Sequence, residues 1–308
     1  MAKRKRGRPV NGILVVDKPA GLTSNSLLQK LKAIYFAAKA GHTGSLDPMA
    51  TGVLPICFGE ATKFSQFLLD ADKGYCATIR LGITTSTGDA DGDVVARCAT
   101  IGIDQWQVES VLQRFRGETQ QIPPMHSALK RNGTPLYRLA RAGIEVEREA
   151  RAVTISELSL LGFRPGDSAE LDVRIRCSKG TYVRVLAEDI GRELACGGHV
   201  TRLRRDRAGP FTDAQAHRID DLQLLYEQRD FARLDQMLLP AQCAVAHLPT
   251  LDLQESTLFY LSQGQPVMAP AAKQQGLVCL CGPDKRFIGV GEVRHDGRVA
   301  PRRIVSGA

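Results

Sequence analysis

The chain has 308 residues, of which 43% are hydrophobic and 24% charged, enough apolar sequence for one large domain and a small one. Lysine and arginine total 41 against 33 acidic residues, a formal net charge of +8 that suits a polyanionic partner. No apolar segment of about 18 residues occurs, and no apolar run follows the basic start. We therefore expect no membrane span, no secretory signal and a cytoplasmic location.

The cysteines and histidines argue against a disulfide framework or a metal site. The eight cysteines form no C-x-x-C pair and the six histidines form no H-E-x-x-H motif. The segment "DADGDV" places Asp89, Asp91 and Asp93 at alternate positions, as a calcium loop does. Its glycine is misplaced, however, and Thr100 stands where glutamate is required. We predict reduced, mostly buried thiols, no metal and a solvated acidic turn.

The first half of the chain predicts alternating strands and helices. Ile13–Val16 is typical of a short buried strand, and "SNSLLQKLKAIYFAAKA" predicts a helix capped by Ser24 or Asn25. The segment "GEATKFSQFLLDADK" predicts a second helix. In "GYCATIRLG" apolar and polar residues alternate, which predicts a half-buried strand with Tyr75 on its apolar side. A further helix is predicted to begin near Asp104.

The second half contains one basic, turn-rich stretch and then a change of character. Residues 121–143 predict a loop or flap, whereas "AELDVRIRCSKG" alternates as a strand does. The continuation "TYVRVLAEDIGREL" has helical spacing, so Tyr182 and Arg184 are predicted at a strand-to-helix junction, a common location for functional residues. After Pro240, short apolar runs separated by Gly, Pro and Asp-Gly predict a small β-barrel-like unit that begins near residue 247.

The segment "GHTGSLDPMATG" holds one carboxylate, Asp47, in a turn rich in glycine. Neither the phosphate-binding pattern G-x-x-x-x-G-K-[ST] nor G-x-G-x-x-G is present. A lone ionised aspartate can act as a nucleophile or a base, and an adjacent cation such as Arg184 would keep it charged, ideally through two parallel hydrogen bonds. Alternatively, Asp47 only forms an Asx-turn before Pro48. The residues alone leave both interpretations open.

Several long segments, taken in order, resemble the tRNA pseudouridine(55) synthases of the bacterial TruB family. They are "NGILVVDKPAGLTS", "AGHTGSLDPMATGVLPICFGEATKFSQFL", "DKGYCATIRLG", "IPPMHSALK" and "CSKGTYVRVLAEDIG". The resemblance implies an α+β fold, with a mixed, largely antiparallel sheet flanked by helices and a small C-terminal β-barrel similar to a PUA domain. We expect a flexible basic tail at 1–10, a catalytic domain at 11–246 with a basic inserted arm at about 121–150, and an RNA-binding PUA-like domain at 247–308.

The family's activity implies cofactor-free isomerisation of one uridine in the T loop of tRNA to pseudouridine. The bond from N1 to C1′ breaks, the base turns, C5 joins C1′, and the hydrogen on C5 leaves to solvent. The family's catalytic aspartate falls on Asp47. Three routes stay open: the carboxylate attacks C1′, adds to the base, or removes the 2′ proton.

The resemblance also implies roles for the residues around Asp47. The target uridine must leave its stacked loop before a side chain can reach the sugar. His42 is implied to fill the vacated space, and Tyr75 to stack on the flipped base. Tyr182 and Leu203 are implied to line the pocket. Arg184 is implied to pair with Asp47, and Lys18 to brace the site or contact a phosphate.

One histidine and a run of arginines need separate mention. His126 in "PPMHSALK" stands where the family is expected to have Tyr or Phe, and histidine stacks more weakly and with a charge that depends on pH. Arg202, Arg204 and Arg205 in "RLRRDR" are predicted to form a surface that faces phosphates.

Two other functions remain as alternatives. The chain could be a noncatalytic protein that binds or folds RNA, or a relative of the guide-RNA-dependent synthases that need partner proteins. The inserted arm "KRNGTPLYRLARAGIEVERE" favours a stand-alone, monomeric enzyme that grips the T arm of tRNA without an obligatory protein partner.

Overall fold

The computed structural model describes residues 7–269 and 275–306, which form a large mixed sheet with packed helices and a smaller sheet near the C terminus. The strands are β1 (Gly12–Lys18), β2 (Ala40–His42), β3 (Thr51–Phe58), β4 (Lys73–Leu81), β5 (Ile83–Thr85), β6 (Val94–Arg97), β7 (Gly117–Gln121), β8 (Lys130–Arg131), β9 (Thr134–Pro135), β10 (Arg151–Arg164), β11 (Glu170–Cys177), β12 (Gly198–Ala208), β13 (Phe211–Thr212), β14 (His217–Arg218), β15 (Thr250–Asp252), β16 (Val267–Met268), β17 (Gly276–Cys281), β18 (Phe287–Val293) and β19 (Arg298–Ile304).

The helices lie between these strands. The α-helices are α1 (Ser24–Ile34), α2 (Ser65–Asp70), α3 (Gln105–Arg114), α4 (Leu136–Arg141), α5 (Val183–Glu193), α6 (Ile219–Glu227), α7 (Phe231–Gln236) and α8 (Glu255–Ser262), and short 3-10 helices cover Gly59–Phe64, Asp213–Gln215, Ala241–Val245 and Pro283–Lys285.

The large sheet has the strand order β14-β1-β3-β12-β4-β11-β10-β7, with β2 paired to β3 and β13 paired to β12. Only the pairs β1–β14 and β3–β12 are parallel among the described strands of this sheet. The predicted mixed, largely antiparallel sheet is therefore confirmed. Strand β12 lies at its centre, between the strand that follows the Asp47 turn and the strand that carries Tyr75.

The alternating pattern of β4 and β11 places one side of each strand in the core. Ala77, Ile79 and Leu81 of β4 are buried, as are Val173 and Ile175 of β11. The two strands pair antiparallel, so these apolar side chains share one face. The strands predicted from alternation are confirmed.

The helix starts follow from capping residues. Helix α3 begins at a capping box, in which the Asp104 carboxylate accepts the backbone N–H of Gln107 and the Gln107 side chain accepts the N–H of Asp104. The cap of α1 is Thr23, which accepts the N–H of Ser26 at 3.0 Å, so the prediction of Ser24 or Asn25 was wrong. Ser24 is instead bonded to Leu46 in the Asp47 turn.

Two other sequence predictions differ from the structure. The second helix is split into a 3-10 turn, Gly59–Phe64, and α2. The segment at 121–143 is not only a loop, because it contains the β8–β9 hairpin and α4. These short elements have few residues each, so their hydrophobic periodicity is too brief to identify them.

The predicted flexible tail is wrong for residues 7–10, while residues 1–6 lie outside the described part of the chain. The backbone N–H of Arg8 donates to the carbonyl of Phe36 at 2.6 Å, and its carbonyl accepts the N–H of Ala38 at 3.1 Å. The Arg8 guanidinium pairs with Asp235, and Val10 is buried. Residues 7–10 are thus fixed to the large domain.

The smaller sheet has the order β15-β17-β18-β19-β16 and packs against the large domain. One apolar cluster crosses between the two units: it includes Ile13 and Phe64 of the large unit and Cys279 and Val290 of the small one. The rings of Phe64 and Phe287 lie 5.1 Å apart. A shared core therefore sets how the C-terminal unit sits on the large sheet.

Candidate active site

The Asp47 turn connects β2 to β3, and these two strands pair antiparallel along Ala40–His42. Ser24 of α1 holds the turn from one side: its hydroxyl donates to the carbonyl of Leu46 at 3.0 Å and accepts the N–H of Leu46 at 2.7 Å. The N–H of Ala50 donates to the carbonyl of Asp47 at 3.1 Å. The backbone on both sides of Asp47 is therefore fixed, and its side chain is 38% exposed.

The Asp47 carboxylate contacts Arg184, as expected. Arg184 lies in the first turn of α5 with only 6% of its side chain exposed, and its Nε is 2.9 Å from Asp47 Oδ2. Its Nη1 donates to the carbonyl of Thr87 at 2.8 Å and its Nη2 to that of His126 at 2.8 Å. The guanidinium therefore meets Asp47 through one contact, and the expected fork of two parallel bonds is absent from the described residues because both Nη atoms bind carbonyls.

The Asx-turn alternative is not supported by the hydrogen bonds of the described residues. No backbone N–H among them donates to the Asp47 carboxylate, whose partner is the Arg184 guanidinium. The Asp47 carboxylate is thus held by a side-chain cation and is 38% exposed.

Asp89 is a site residue that the sequence interpretation missed. It is only 4% exposed, and its Oδ2 lies 3.6 Å from Arg184 Nε. Its Oδ1 accepts the Thr87 hydroxyl and, at 3.2 Å, the N–H of Asp91. The prediction of a solvated acidic turn was therefore wrong for Asp89, whose carboxylate points inward to a buried cation. The alternating aspartates gave a clue to this turn, but calcium was the only ligand they suggested.

The charges around Asp47 act on its pKa in opposite directions. Burial raises the pKa of the Asp47 carboxyl, Arg184 lowers it, Asp89 raises it and Lys18 lowers it. The net direction is upward. Because 38% of the side chain is exposed, water screens part of each effect. The cations Arg184 and Lys18 thus oppose the loss of the negative charge.

Lys18 braces the turn and does not face solvent. Its side chain is fully buried, and its ammonium donates to the carbonyls of Pro19 at 3.0 Å, Pro48 at 3.1 Å and Ala50 at 2.6 Å. Burial lowers the pKa of Lys18 to about 8, while Asp47 raises it and Arg205 lowers it. All three donors of the ammonium are engaged. The bracing role is consistent with this geometry, and the alternative of a phosphate contact stays a prediction.

His42 ends β2 and enters the turn half-buried. Its Nδ1 is buried and has no hydrogen-bond partner in the described part of the chain. Burial lowers the pKa of His42, and the positive charge of Arg205 lowers it further. The imidazole is therefore held neutral, with one ring nitrogen available.

Tyr75, Leu203 and Tyr182 come from three different elements. Tyr75 on β4 is half-buried and lies opposite Arg205 of β12. Leu203 of β12 is 8% exposed and lies opposite Ala77 of β4. Tyr182 is the N-cap residue of α5, directly before the turn that carries Arg184. Burial raises the pKa of both tyrosines, and the Asp47 charge adds a smaller upward effect in each case.

The arginines of β12 do not form one surface. Arg205 is 1% exposed, and its guanidinium donates to the carbonyls of Val53 at 2.7 Å and Gly44 at 3.2 Å. Arg204 forms two bonds to the Asp17 carboxylate, at 2.9 and 3.1 Å. Arg202 is exposed. The predicted phosphate-facing surface was therefore wrong for Arg205, which braces the Asp47 turn from inside.

His126, the expected departure from an aromatic residue, lies at the edge of this site. It is half-buried, and its carbonyl accepts the Nη2 of Arg184. Its backbone thus helps to aim the guanidinium whatever its side chain does.

The described residues contain neither a metal-binding cluster nor a membrane-spanning helix. The described residues contain no group of three or more His, Cys, Asp and Glu side chains placed to hold a metal ion. Among those same residues, no helix combines the length and apolar character needed to cross a bilayer.

The sequence matches three family models. They are described as "TruB family pseudouridylate synthase (N terminal domain)" for residues 32–183, "tRNA pseudouridylate synthase B C-terminal domain" for residues 184–246, and "Pseudouridine synthase II TruB, C-terminal" for residues 249–305. Together these matches extend from α1 to the last strand.

Curated relatives and solved structures agree with the family models. The chain is 54% identical over 307 residues to a tRNA pseudouridine synthase B of Pseudomonas aeruginosa, with 99% of each chain covered, and 52% identical over 311 residues to that of Saccharophagus degradans, again with 99% covered. It is similar to a chain of a Cbf5-Nop10-Gar1 complex, with a TM-score of 0.73, 25% identity, and 96% of this chain and 84% of that chain covered. A chain of an archaeal box H/ACA sRNP Nop10-Cbf5 complex gives a TM-score of 0.71 at 24% identity, with 99% and 92% covered. The implied fold, with a PUA-like C-terminal unit, is confirmed.

Proposed function

The chain belongs to the TruB family of pseudouridylate synthases, and on that premise we propose that it isomerises the uridine at position 55, in the T loop of tRNA, to pseudouridine. The relatives that it matches along almost their full length are named for tRNA as substrate. In the reaction the N1–C1′ bond breaks, the C5–C1′ bond forms and the proton on C5 leaves to solvent. The substrate and product have the same composition, so the reaction needs no co-reactant.

The observation that carries this proposal is the contact of 2.9 Å between Asp47 Oδ2 and Arg184 Nε. Asp47 is the proposed catalytic carboxylate, and Arg184 and Lys18 are proposed to keep it ionised and fixed. A carboxylate acts as a nucleophile or base only when it is ionised. Since burial and the Asp89 charge raise the pKa of Asp47, the two cations are what oppose its protonation near neutral pH.

The remaining site residues are proposed to handle the flipped nucleotide. Tyr75 stacks on the extruded base, Tyr182 and Leu203 line the pocket, and His42 fills the space that the base vacates. A neutral His42 with a free, buried Nδ1 suits this role, because it can bond a base edge without adding charge. Extrusion costs a few kcal/mol of lost stacking, which such contacts would offset.

The arm at 121–150 and the C-terminal unit are proposed to bind the rest of the tRNA. Hairpin β8–β9 and helix α4 present basic side chains to solvent: Lys130, Arg131, Arg138 and Arg141. Because this chain supplies its own basic arm, we propose that it acts as a monomer, without a guide RNA or an obligatory protein partner. A cytoplasmic location is proposed as well, since all eight cysteines are free thiols.

The test is release of tritium from tRNA labelled at uridine C5, in EDTA, with the purified chain alone. The wild type is expected to release tritium from T-arm uridine, and Asp47→Asn is expected to release none. Asp93→Asn is the matched control, because Asp93 is exposed and lies outside the site. Equal release by Asp47→Asn would move catalysis to another residue.

The same experiment separates the alternatives. Tight binding of tRNA by the wild type with no tritium release would favour a noncatalytic RNA-binding protein. Release that appears only after a guide RNA or a second protein is added would favour the guide-dependent class.

A further inference from the structure

The start of helix α5 lacks a capping side chain of its own. Its N-cap residue is Tyr182, and no side chain of the cap bonds the free N–H groups of the first turn. Tyr182 and Arg184, at the start of α5, therefore depend on other parts of the chain for their position.

The segment at 121–127 supplies those contacts. Gln121, at the end of β7 and only 3% exposed, accepts the backbone N–H of Tyr182 at 3.0 Å and donates to the backbone carbonyl of Tyr182 at 3.3 Å. Five residues later the carbonyl of His126 accepts Arg184 Nη2 at 2.8 Å. One short segment thus holds both residues at the helix start.

Ser127, the next residue, has a buried hydroxyl with nothing bonded to it. The residue is 5% exposed, and its Oγ has no hydrogen-bond partner in the described part of the chain. Ser127 follows His126, whose carbonyl binds Arg184, so it lies at the start of α5, where Tyr182 is the N-cap residue. Burial raises the pKa of the Tyr182 phenol, and the Ser127 hydroxyl lowers it. A buried polar group left unbonded destabilises a fold, so the free hydroxyl points to a hydrogen bond that forms only when the site is filled.

We propose that Gln121 and Ser127 are positioning residues for Tyr182: Gln121 fixes its backbone, and the Ser127 hydroxyl bonds the Tyr182 hydroxyl when the target nucleotide fills the site. The inference rests on the proposed function, because it assigns Tyr182 to the pocket of that reaction. Neither residue touches the reacting atoms. Their effect falls on the catalytic step through the placement of the phenol.

The segment at 121–127, which we call the bracket, is connected to the rest of the arm. The carbonyl of Ser127 accepts the backbone N–H of Tyr137 at 3.0 Å, and Tyr137 belongs to α4 within the arm. RNA that binds the arm therefore acts on the same segment that holds Tyr182. This arrangement lets correct docking of the tRNA align the pocket.

The test compares single-turnover tritium release, tRNA affinity and the melting temperature in Ser127→Ala, Ser127→Thr, Gln121→Met and Gln121→Glu. Ser127→Ala is expected to slow release about three- to tenfold with unchanged affinity and an unchanged or higher melting temperature, because it removes a hydroxyl that makes no bond in the free protein. Ser127→Thr restores a hydroxyl and is expected to recover most of the rate.

Gln121→Met is expected to slow release about tenfold, and Gln121→Glu less so, because glutamate keeps the acceptor for the Tyr182 N–H. Gln120→Met and Ser156→Ala are matched controls on exposed positions and should release tritium at the wild-type rate. The bracket is refuted if Ser127→Ala keeps the wild-type rate, or if it loses rate only in proportion to a lower melting temperature. No release by the wild type would instead refute the proposed function itself.

Discussion

Replacing Arg184 with methionine removes the cation that faces both Asp47 and Asp89 while keeping an unbranched side chain of similar length. Two carboxylates then face each other, and the carbonyls of Thr87 and His126 lose their donor. Arg184 lowers the pKa of Asp47 and Asp89 raises it, so the substitution must raise that pKa above its already elevated position.

The size of the shift follows from the contact distance and the exposure. Two unit charges about 4 Å apart interact by about 4 kcal/mol at an effective dielectric constant of about 20. Asp47 is 38% exposed, so water screens part of this interaction, and we take about 1.5–3 kcal/mol for the interaction that the substitution removes. At a fixed pH on the acid side of the profile, the ionised fraction of Asp47 should fall about 10- to 100-fold.

The assay is single-turnover tritium release from C5-labelled tRNA between pH 5.5 and 9.5. The acid limb of the Arg184→Met profile is expected to lie 1–2 pH units above that of the wild type, with partial recovery at high pH. Arg184→Lys keeps a charge and should shift less. Arg192→Met, exposed at the other end of α5, is the control. If Arg184→Met lowers the rate equally at every pH, the guanidinium acts by position alone and the electrostatic argument is refuted.

Two further predictions concern the turn and its brace. Gly52→Ala should destabilise the fold by about 2–4 kcal/mol in urea unfolding, because Gly52 has φ +102° and a Cβ there would lie 2.2 Å from the carbonyl oxygen of Arg205. Gly41→Ala meets nothing within 4 Å and should change stability by less than about 0.5 kcal/mol, and equal losses in both variants would contradict the argument. Lys18 has its pKa lowered to about 8, so between pH 8 and 10.5 the unfolded chain binds its proton more strongly than the folded one. The free energy of unfolding of the wild type, relative to that of Lys18→Met, should therefore rise across that window by at most about 3 kcal/mol. Urea unfolding at pH 7, 9 and 10 measures this difference, and a difference that stays constant or falls would refute the argument.

The strands that carry the site were predictable where one face is apolar. In β4 and β11 the period of two is visible because the buried face takes Ala, Ile, Leu and Val, and both strands were correctly predicted. Strand β12 gave no such pattern, since its outward face carries Arg202 and Arg204 and its inward face carries Arg205. An arginine at an inward position is compatible with burial only because of carbonyls elsewhere in the chain.

Those carbonyls explain why Arg205 was assigned to the wrong side. Its guanidinium donates to Val53, 152 residues away, and to Gly44, 161 residues away. A run of arginines is typical of a surface for phosphates when only neighbouring residues are considered. Which member of the run turns inward is decided by register with β3 and β4, and no local pattern encodes that register.

The candidate site also contains residues that were predictable from the sequence and residues that were not. Resemblance supplied Asp47 and its partner Arg184, and the structure brings the two into contact. Asp89 was not predicted because its contact is with the same guanidinium, that of Arg184, which is far from Asp89 in the sequence. Arg184 makes one contact with Asp47, not two parallel bonds, because its other nitrogens donate to the backbone carbonyls of Thr87 and His126. No sequence pattern shows which backbone carbonyls a side chain will bind.

The apolar cluster shared by the two sheets makes them one cooperative unit on heating. Val290 and Cys279 of the C-terminal unit cover Ile13, Val15 and other core residues of the large unit. A chain cut near residue 246 would leave those side chains facing water, a contiguous apolar surface that promotes aggregation. Calorimetry should therefore record a single transition for the whole chain, with the small sheet unfolding together with the large one.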